Sequence, residues 1–374
     1  MNKKEVLEIK KLFTHERCCI SRICGCYVDG NKNKVTTFRD AFLSLPEEEI
    51  FKYFSIFRSS LSGTLGRNLL NMDFPLESES DGGTQDFLMK LRASHLKDDD
   101  ILEIFYNKVI DNYEYGENYL ILLIDASYDV PGKGSDELSI DDSSEYVYEH
   151  LLCTICPVNL SKEGLCYNAT TNAFENRIRD WLVEVPMHAF LFPAFNDRNS
   201  DIHSVLLYTK NSENLMPEFI DGVLGCVAPM TYKGQKETFS EIITEVLGED
   251  CDFTTVKNVH ENLTTYMEER KEQPDPVIIE KTDVKNMLEK SGVKNDKIEN
   301  FDACYDETCG SCTSFMASNI VSTRNFEVAT NDVLIKVAPE RTDLIETKEI
   351  DGKIYLMIEV TDQVKVNGIA VKPR

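Results

Sequence analysis

The stretch Tyr119-Leu-Ile-Leu-Leu-Ile124 decides the fold, because its length and unbroken apolar character are typical of a buried strand. Gly116 lies before it and Asp125 directly after it, so the apolar run is bounded on both sides. Further runs with strand character follow at 146–155, 189–195 and 202–209. We therefore expect an α+β protein with a mixed or antiparallel central sheet and flanking helices.

Helical patterns surround this sheet-forming region. Pro46 followed by three glutamates is a good helix start, and Asp98 with two further aspartates opens another. After Ser212 apolar residues recur at helical spacing to about Met267, and Asp351-Gly352 between alternating runs indicates a hairpin. The predicted regions are 1–115, α+β with a basic first segment; 116–226, a sheet-rich central domain; and 227–374, a helical segment followed by a small C-terminal β unit.

Size and composition limit the class of protein. The chain has 374 residues, 42% of them hydrophobic and 28% charged, enough for two or three packed domains. Its longest apolar runs fall well short of the roughly 20 residues that span a bilayer, and the N-terminus lacks the apolar core of a signal peptide. We expect a cytoplasmic protein without a membrane span, and reduced thiols for its 12 cysteines.

The charge is strongly negative and unevenly distributed. A net charge of -25 repels nucleic acid, yet residues 1–39 hold nine basic against four acidic residues, a balance of +5. One interpretation places these lysines on the solvated face of an amphipathic helix whose apolar face carries Val6, Ile9 and Leu12. The other interpretation is a segment that contacts a polyanion.

The stretch Phe190-Leu-Phe-Pro-Ala-Phe-Asn-Asp-Arg-Asn-Ser-Asp-Ile-His203 changes abruptly from apolar to polar, which predicts a loop that presents side chains. Carboxylates and imidazole can hold a metal, and arginine binds anions. Asp125 or Asp129 could supply further carboxylates. The competing interpretation is a solvated turn in which the arginine pairs with a neighbouring aspartate. The candidate binding residues are Asn196, Asp197, Arg198, Asp201 and His203.

Other chemical motifs are incomplete. Cys153-Thr-Ile-Cys156 and Cys309-Gly-Ser-Cys312 are spaced like zinc ligands, but the first pair lies in an apolar strand where cysteine acts as a small hydrophobe. We expect buried or incidental thiols, with no bound metal or cofactor. Trp181, the single tryptophan, is interpreted as a packing anchor.

Four segments carry a resemblance to a known family. They are Lys10-Lys-Leu-Phe-Thr14, Cys18-Cys-Ile-Ser-Arg-Ile-Cys-Gly-Cys-Tyr-Val-Asp-Gly30, Phe192-Pro-Ala-Phe-Asn-Asp-Arg-Asn-Ser-Asp-Ile-His203 and Pro339-Glu-Arg-Thr-Asp-Leu344. Together they resemble an uncharacterised bacterial domain-of-unknown-function family of the DUF4317 type, over the full length. This resemblance implies no activity, substrate or catalytic residue.

From Tyr119 onward the order of features is also similar to that of the YejK-type nucleoid-associated family. The shared order is paired core strands, a helix from Phe219 to Gly225, an amphipathic stretch to about Arg270, and a compact β tail. This likeness implies a non-enzymatic cytosolic protein with protein partners. It also implies contact with nucleoid DNA, for which the basic N-terminal segment is the candidate.

These observations favour a cytosolic binding or regulatory protein without catalytic activity, associated with the nucleoid and able to form a homo-oligomer. The alternative is a metal-dependent hydrolase centred on Asp197, Asp201 and His203. Such a site would need these side chains to converge in one cleft.

Overall fold

A computed structural model of the protein describes residues 1–133, 139–311, 313–322, 325–360 and 363–371. The chain divides into two compact units, Met1–Thr231 and Tyr232–Arg374. The helices are α1 (Lys3–Lys10), α2 (Glu47–Ser60), α3 (Thr84–Ala93), α4 (Asp99–Asn112), α5 (Pro217–Phe219, continued by a π turn at Ile220–Leu224), α6 (Tyr232–Leu247), α7 (Phe253–Glu269), α8 (Lys281–Lys290), α9 (Asn295–Cys309) and α10 (Ala317–Ile320). Short 3-10 turns lie at His15–Arg17, Phe42–Ser44, Gly248–Asp250 and Pro339–Leu344.

The strands of the first unit are β1 (Ile20–Val28), β2 (Lys34–Ala41), β3 (Leu69–Asp73), β4 (Tyr119–Lys133), β5 (Ser139–Leu160), β6 (Leu165–Asn168), β7 (Ala173–Asn176), β8 (Trp181–Val183), β9 (His188–Phe192), β10 (Ala194–Asn196), β11 (Asn199–Asp201) and β12 (Ser204–Thr209). Those of the second unit are β13 (Ile278–Ile279), β14 (Phe315–Met316), β15 (Phe326–Ala329), β16 (Leu334–Val337), β17 (Ile345–Ile350), β18 (Lys353–Ile358), β19 (Val364–Val366) and β20 (Ile369–Val371).

An eight-stranded sheet organises the first unit. Its order is β2-β1-β4-β5-β9-β12-β3, with β8 paired to the end of β5, and its named pairs are antiparallel. The apolar stretch that opens β4 lies near the middle of this order. Both the predicted α+β class and an antiparallel central sheet are therefore confirmed.

Helices cover both faces of the sheet, which explains the unbroken apolar run in β4. Leu122 and Ile124 belong to a core that includes side chains of α1 and α2. Ile121 and Leu123 belong to the opposite core, with side chains of α3, α4 and the π turn. Because successive strand residues point to opposite faces, a sheet covered on both sides needs apolar residues at every position.

Residues on either side of position 116 belong to the same unit. β1, which precedes position 116 in the sequence, pairs with β4, which follows it. The pairing runs from Ile20 opposite Ala126 to Val28 opposite Tyr119. The predicted regions 1–115 and 116–226 therefore share one sheet, because strands distant in sequence became neighbours. The division into units falls after Thr231, five residues beyond the predicted boundary at 226.

The local sequence signals for elements in the first unit agree with the structure. α2 begins directly after Pro46, and the side chain of Asp98 caps α4 by accepting from the backbone N–H groups of residues 100 and 101. On α1, Val6 and Ile9 are buried while Lys3 and Lys4 are exposed, and Leu12, just after the helix, is buried as well. The amphipathic interpretation of the basic segment is therefore correct for α1.

The second unit packs helices around a small apolar core and carries three two-stranded hairpins after residue 325. The ring of Phe315 lies 5.7 Å from that of Phe239 and 6.0 Å from that of Tyr305. The hairpin predicted at Asp351-Gly352 joins β17 to β18. Within the described ranges, none of the helices is long and apolar enough to cross a membrane.

Candidate functional site

The polar cluster predicted to be a presenting loop is a tight hairpin. β10 pairs with β11 from Ala194 opposite Asp201 to Asn196 opposite Asn199, so only two residues form the turn. Both turn residues, Asp197 and Arg198, have positive φ, 52° and 57°. This backbone suits a two-residue hairpin because it matches the twist of the flanking strands.

Arg198 is occupied by contacts inside the protein. Its guanidinium forms a two-pronged ion pair with Glu8 of α1, with Nε–O distances of 3.1 and 3.3 Å and an Nη2–O distance of 2.9 Å. Nη2 also donates to the carbonyl of Pro131 at 3.1 Å. The carbonyl of Arg198 accepts from the hydroxyl of Tyr146. The arginine therefore fastens the first helix to the hairpin.

Asn196 and Asp201 also serve the hairpin itself. The amide of Asn196 accepts from the Met1 amino group and donates to Asp201 at 2.6 Å. Asp201 further accepts from the hydroxyl of Ser204 at 2.8 Å and from the backbone N–H of His203 at 3.0 Å. Partial burial raises the pKa of Asp201, but these hydrogen bonds outweigh it and hold the pKa below its ordinary value.

The side chains of His203 and Asp197 take no part in these hydrogen bonds. The exposed imidazole of His203 pairs through Nδ1 with Glu79 at 2.8 Å, a hydrogen bond that raises the pKa of the histidine. Asp197 is exposed at the turn. Within the described residues no group of three or more histidine, cysteine, aspartate or glutamate side chains could hold a metal ion. The convergence that a hydrolase site requires is not formed by these side chains.

Asp125 lies in another environment, on the opposite sheet face from α1 and α2. It is buried, accepts from the hydroxyl of Ser21 and lies 3.4 Å from Nδ1 of the half-exposed His95. A carboxylate beside an imidazole can orient a general base. The Ser21 hydroxyl donates to the carboxylate, not to the imidazole, so the three groups do not form a nucleophile–base relay.

The cysteines in the described ranges are free thiols. Cys153 and Cys156 are buried, and burial raises the pKa of both, that of Cys156 to about 12. Such thiols stay protonated and pack as small apolar groups. Cys312 of the Cys309-x-x-Cys312 pair lies outside the described residues.

The feature that the sequence analysis missed is an arm of the first unit, Leu160–Val185. Beyond the sheet, β5 and β8 continue as a two-stranded ribbon, and β6 and β7 form a hairpin at its end. Trp181, interpreted from the sequence as a packing anchor, is 55% exposed in this arm. The signal available in the sequence was a cluster of large apolar residues without strand or helix periodicity.

The fold and the hairpin define an α+β protein in which Asn196 and Arg198 hold the N-terminal segment and an apolar arm extends from the sheet. The chain belongs to the family of the domain of unknown function DUF4317, whose model matches residues 1–369. No curated protein and no solved structure matches the chain. The likeness to YejK-type nucleoid-associated proteins therefore receives no support from these comparisons.

Proposed function

We propose that this is a non-catalytic binding protein whose arm docks a second copy of the chain. The observation that carries the proposal is the exposure of large apolar side chains in a short segment. Nine of them within 26 residues are between 38% and 84% exposed: Leu160, Leu165, Tyr167, Phe174, Ile178, Trp181, Leu182, Val183 and Val185. Large apolar side chains that are exposed close together typically mark a protein interface.

The arm is ordered by its own polar contacts while its apolar side chains face outward. The N–H of Ser161 donates to the carbonyl of Asp180 at 2.8 Å, and Arg179 donates to the carbonyl of Ser161 at 2.8 Å. At the tip the rings of Tyr167 and Phe174 lie 5.7 Å apart. An isolated two-stranded ribbon is marginally stable in water, so a partner that covers it stabilises it.

Charge favours a second copy as the partner. The arm holds three basic and four acidic residues, a balance of -1 in a chain of -25, so two copies can meet there with little repulsion between their net charges. Both signs occur side by side in it, since Lys162 precedes Glu163 and Arg179 precedes Asp180. A two-fold axis can therefore place opposite charges against each other.

The test is sedimentation velocity over a range of protein concentrations, with Trp181 emission measured on the same samples. We expect concentration-dependent dimers and a blue shift as the single tryptophan is covered. Replacing Phe174 and Ile178 together by Asp should weaken dimerisation at least about tenfold, because apolar interface centres carry most binding energy.

The matched control is Leu76→Asp, which changes an 86% exposed leucine of the same unit outside the arm and should leave dimerisation unchanged. A wild-type protein that stays monomeric at all concentrations, with solvent-exposed Trp181 emission, would contradict the proposal. Equal loss of dimers in the control would place the interface elsewhere.

Contact between the N-terminal segment and nucleoid DNA is a separate proposal. Lys3, Lys4 and Lys11 are exposed in this segment, so their charges are accessible to phosphate. Co-sedimentation with DNA at low salt should fall when these three lysines become glutamine. Binding that is absent at low salt, or unaffected by the substitutions, would remove this proposal.

A further inference from the structure

A pocket of about 200 Å³ lies between α6 and α7 in the second unit, and the C-terminal end of α10 contributes to its lining. We call it the α6–α7 pocket. Its inner wall is formed by Phe239, Ile243, Val259 and Leu263, each at most 7% exposed. Cys251 and Lys236 are exposed at its rim.

The pocket has a defined floor. Gln235 of α6 accepts from the backbone N–H of Met316 at 2.9 Å and from the side-chain amide of Asn319 at 3.3 Å. These bonds hold α10 against α6, so that Ile320 and Val321 line the pocket. Shape and apolar lining are therefore built by the fold before any ligand arrives, as in most small-molecule sites.

Two polar groups in the pocket are open to a ligand. Nε2 of His260 is buried without a hydrogen-bond partner among the described residues. The Lys236 ammonium helps to lower the pKa of the nearby Glu327, but it is not held in a hydrogen bond or ion pair within the described part of the chain. The described lining contains no acidic residue, although the chain carries a net charge of -25. A buried polar atom without a partner costs free energy that a bound ligand can recover.

The charged and polar groups of the pocket favour a negatively charged ligand. Burial lowers the pKa of His260, so its imidazole is neutral near pH 7 and can donate one hydrogen bond from Nε2. Lys236 supplies the one positive charge on the described lining. One ammonium and one N–H donor match a single carboxylate, which accepts hydrogen bonds at two oxygens.

We propose that the α6–α7 pocket binds a small monocarboxylate with an apolar body of about six carbon atoms, a size that follows from the benzene-sized cavities near 150 Å³. The carboxylate lies at Lys236 and His260. The apolar body contacts Phe239, Ile243 and Leu263. This site lies wholly in the second unit and does not depend on the arm of the first.

The test is calorimetric titration of the full chain with hexanoate and with the neutral analogue 1-hexanol. We expect saturable binding of hexanoate, roughly three- to tenfold tighter than hexanol, because a charge-assisted contact distinguishes them. Lys236→Met keeps an apolar stem and should remove this preference. NMR signals of the His260 imidazole should shift on addition of hexanoate.

Lys233→Met is the matched control, since Lys233 lies on the same helix, is exposed, and is absent from the pocket lining. It should bind hexanoate as the wild type does. Absence of saturable hexanoate binding, or equal affinity for hexanoate and hexanol in the wild type, would overturn the proposal. Unchanged hexanoate preference in Lys236→Met would overturn it as well.

Discussion

At the scale of single residues, the polar cluster near position 200 is part of the scaffold. Arg198 joins Glu8, and Asn196 joins both the Met1 amino group and Asp201. Side chains with the chemistry of a binding site are therefore satisfied by each other and by α1. A buried polar group that already has its partners gains little from an added ligand.

Replacing Arg198 by Met should destabilise the first unit by about 1–3 kcal/mol, because it leaves the largely buried Glu8 carboxylate with the Tyr128 hydroxyl but without the positive charge that pairs with it. Chemical denaturation followed by Trp181 fluorescence measures the change. Lys32→Met removes an exposed ion pair and should cost less than about 0.5 kcal/mol. Equal effects of the two substitutions would contradict the scaffold role.

His150 predicts a pH dependence of stability. It is fully buried against the ring of Tyr148, its Nε2 has no hydrogen-bond partner within the described residues, and burial lowers its pKa from 6.5 to about 4. Below pH 6.5 His150 therefore binds a proton in the unfolded state but stays neutral in the folded state. This histidine reduces stability progressively as the pH falls from 6.5 to about 4.

We expect His150→Phe, which keeps the aromatic stacking, to gain stability relative to the wild type over that pH range. Above about pH 7 the difference between the two should be constant, since both states are then neutral. Unfolding free energies measured between pH 4 and pH 8 test this. A difference that does not vary with pH would show that His150 titrates alike in both states.

At the scale of elements, the arm is separable from the sheet that supports it. At the base of the arm the two strands are paired residue by residue. Leu160 lies opposite Trp181, and the N–H of Ser161 donates to the carbonyl of Asp180. Lys162 and Arg179 therefore come next along the ribbon, and a two-residue turn can join them. Asn-Gly suits such a turn.

Replacing residues 163–178 by Asn-Gly should change the unfolding free energy of the first unit by less than about 1 kcal/mol, because most of the removed side chains are exposed. Trp181 remains as the fluorescent reporter. Dimers should be lost at the same time. A shortened protein that fails to fold cooperatively would show that the arm contributes to the core.

At the scale of the whole molecule, the first unit buries two cores, one on each face of a single sheet. The second unit has its own helical core and the α6–α7 pocket. The two proposed contacts therefore lie in different units, the arm in Met1–Thr231 and the pocket in Tyr232–Arg374. Substitutions in one can be tested without altering residues of the other.

Periodicity and capping residues in the sequence alone determined the α+β class, the central strand at Tyr119–Ile124, the starts of α2 and α4, and the hairpin at Asp351-Gly352. These are local signals, set by a few neighbouring residues. Only the tertiary structure decided that residues on both sides of 116 share a sheet, that Arg198 pairs with Glu8, and that Trp181 is exposed. Pairings such as that between Glu8 and Arg198, 190 positions apart, depend on which surfaces meet, and no local pattern encodes that.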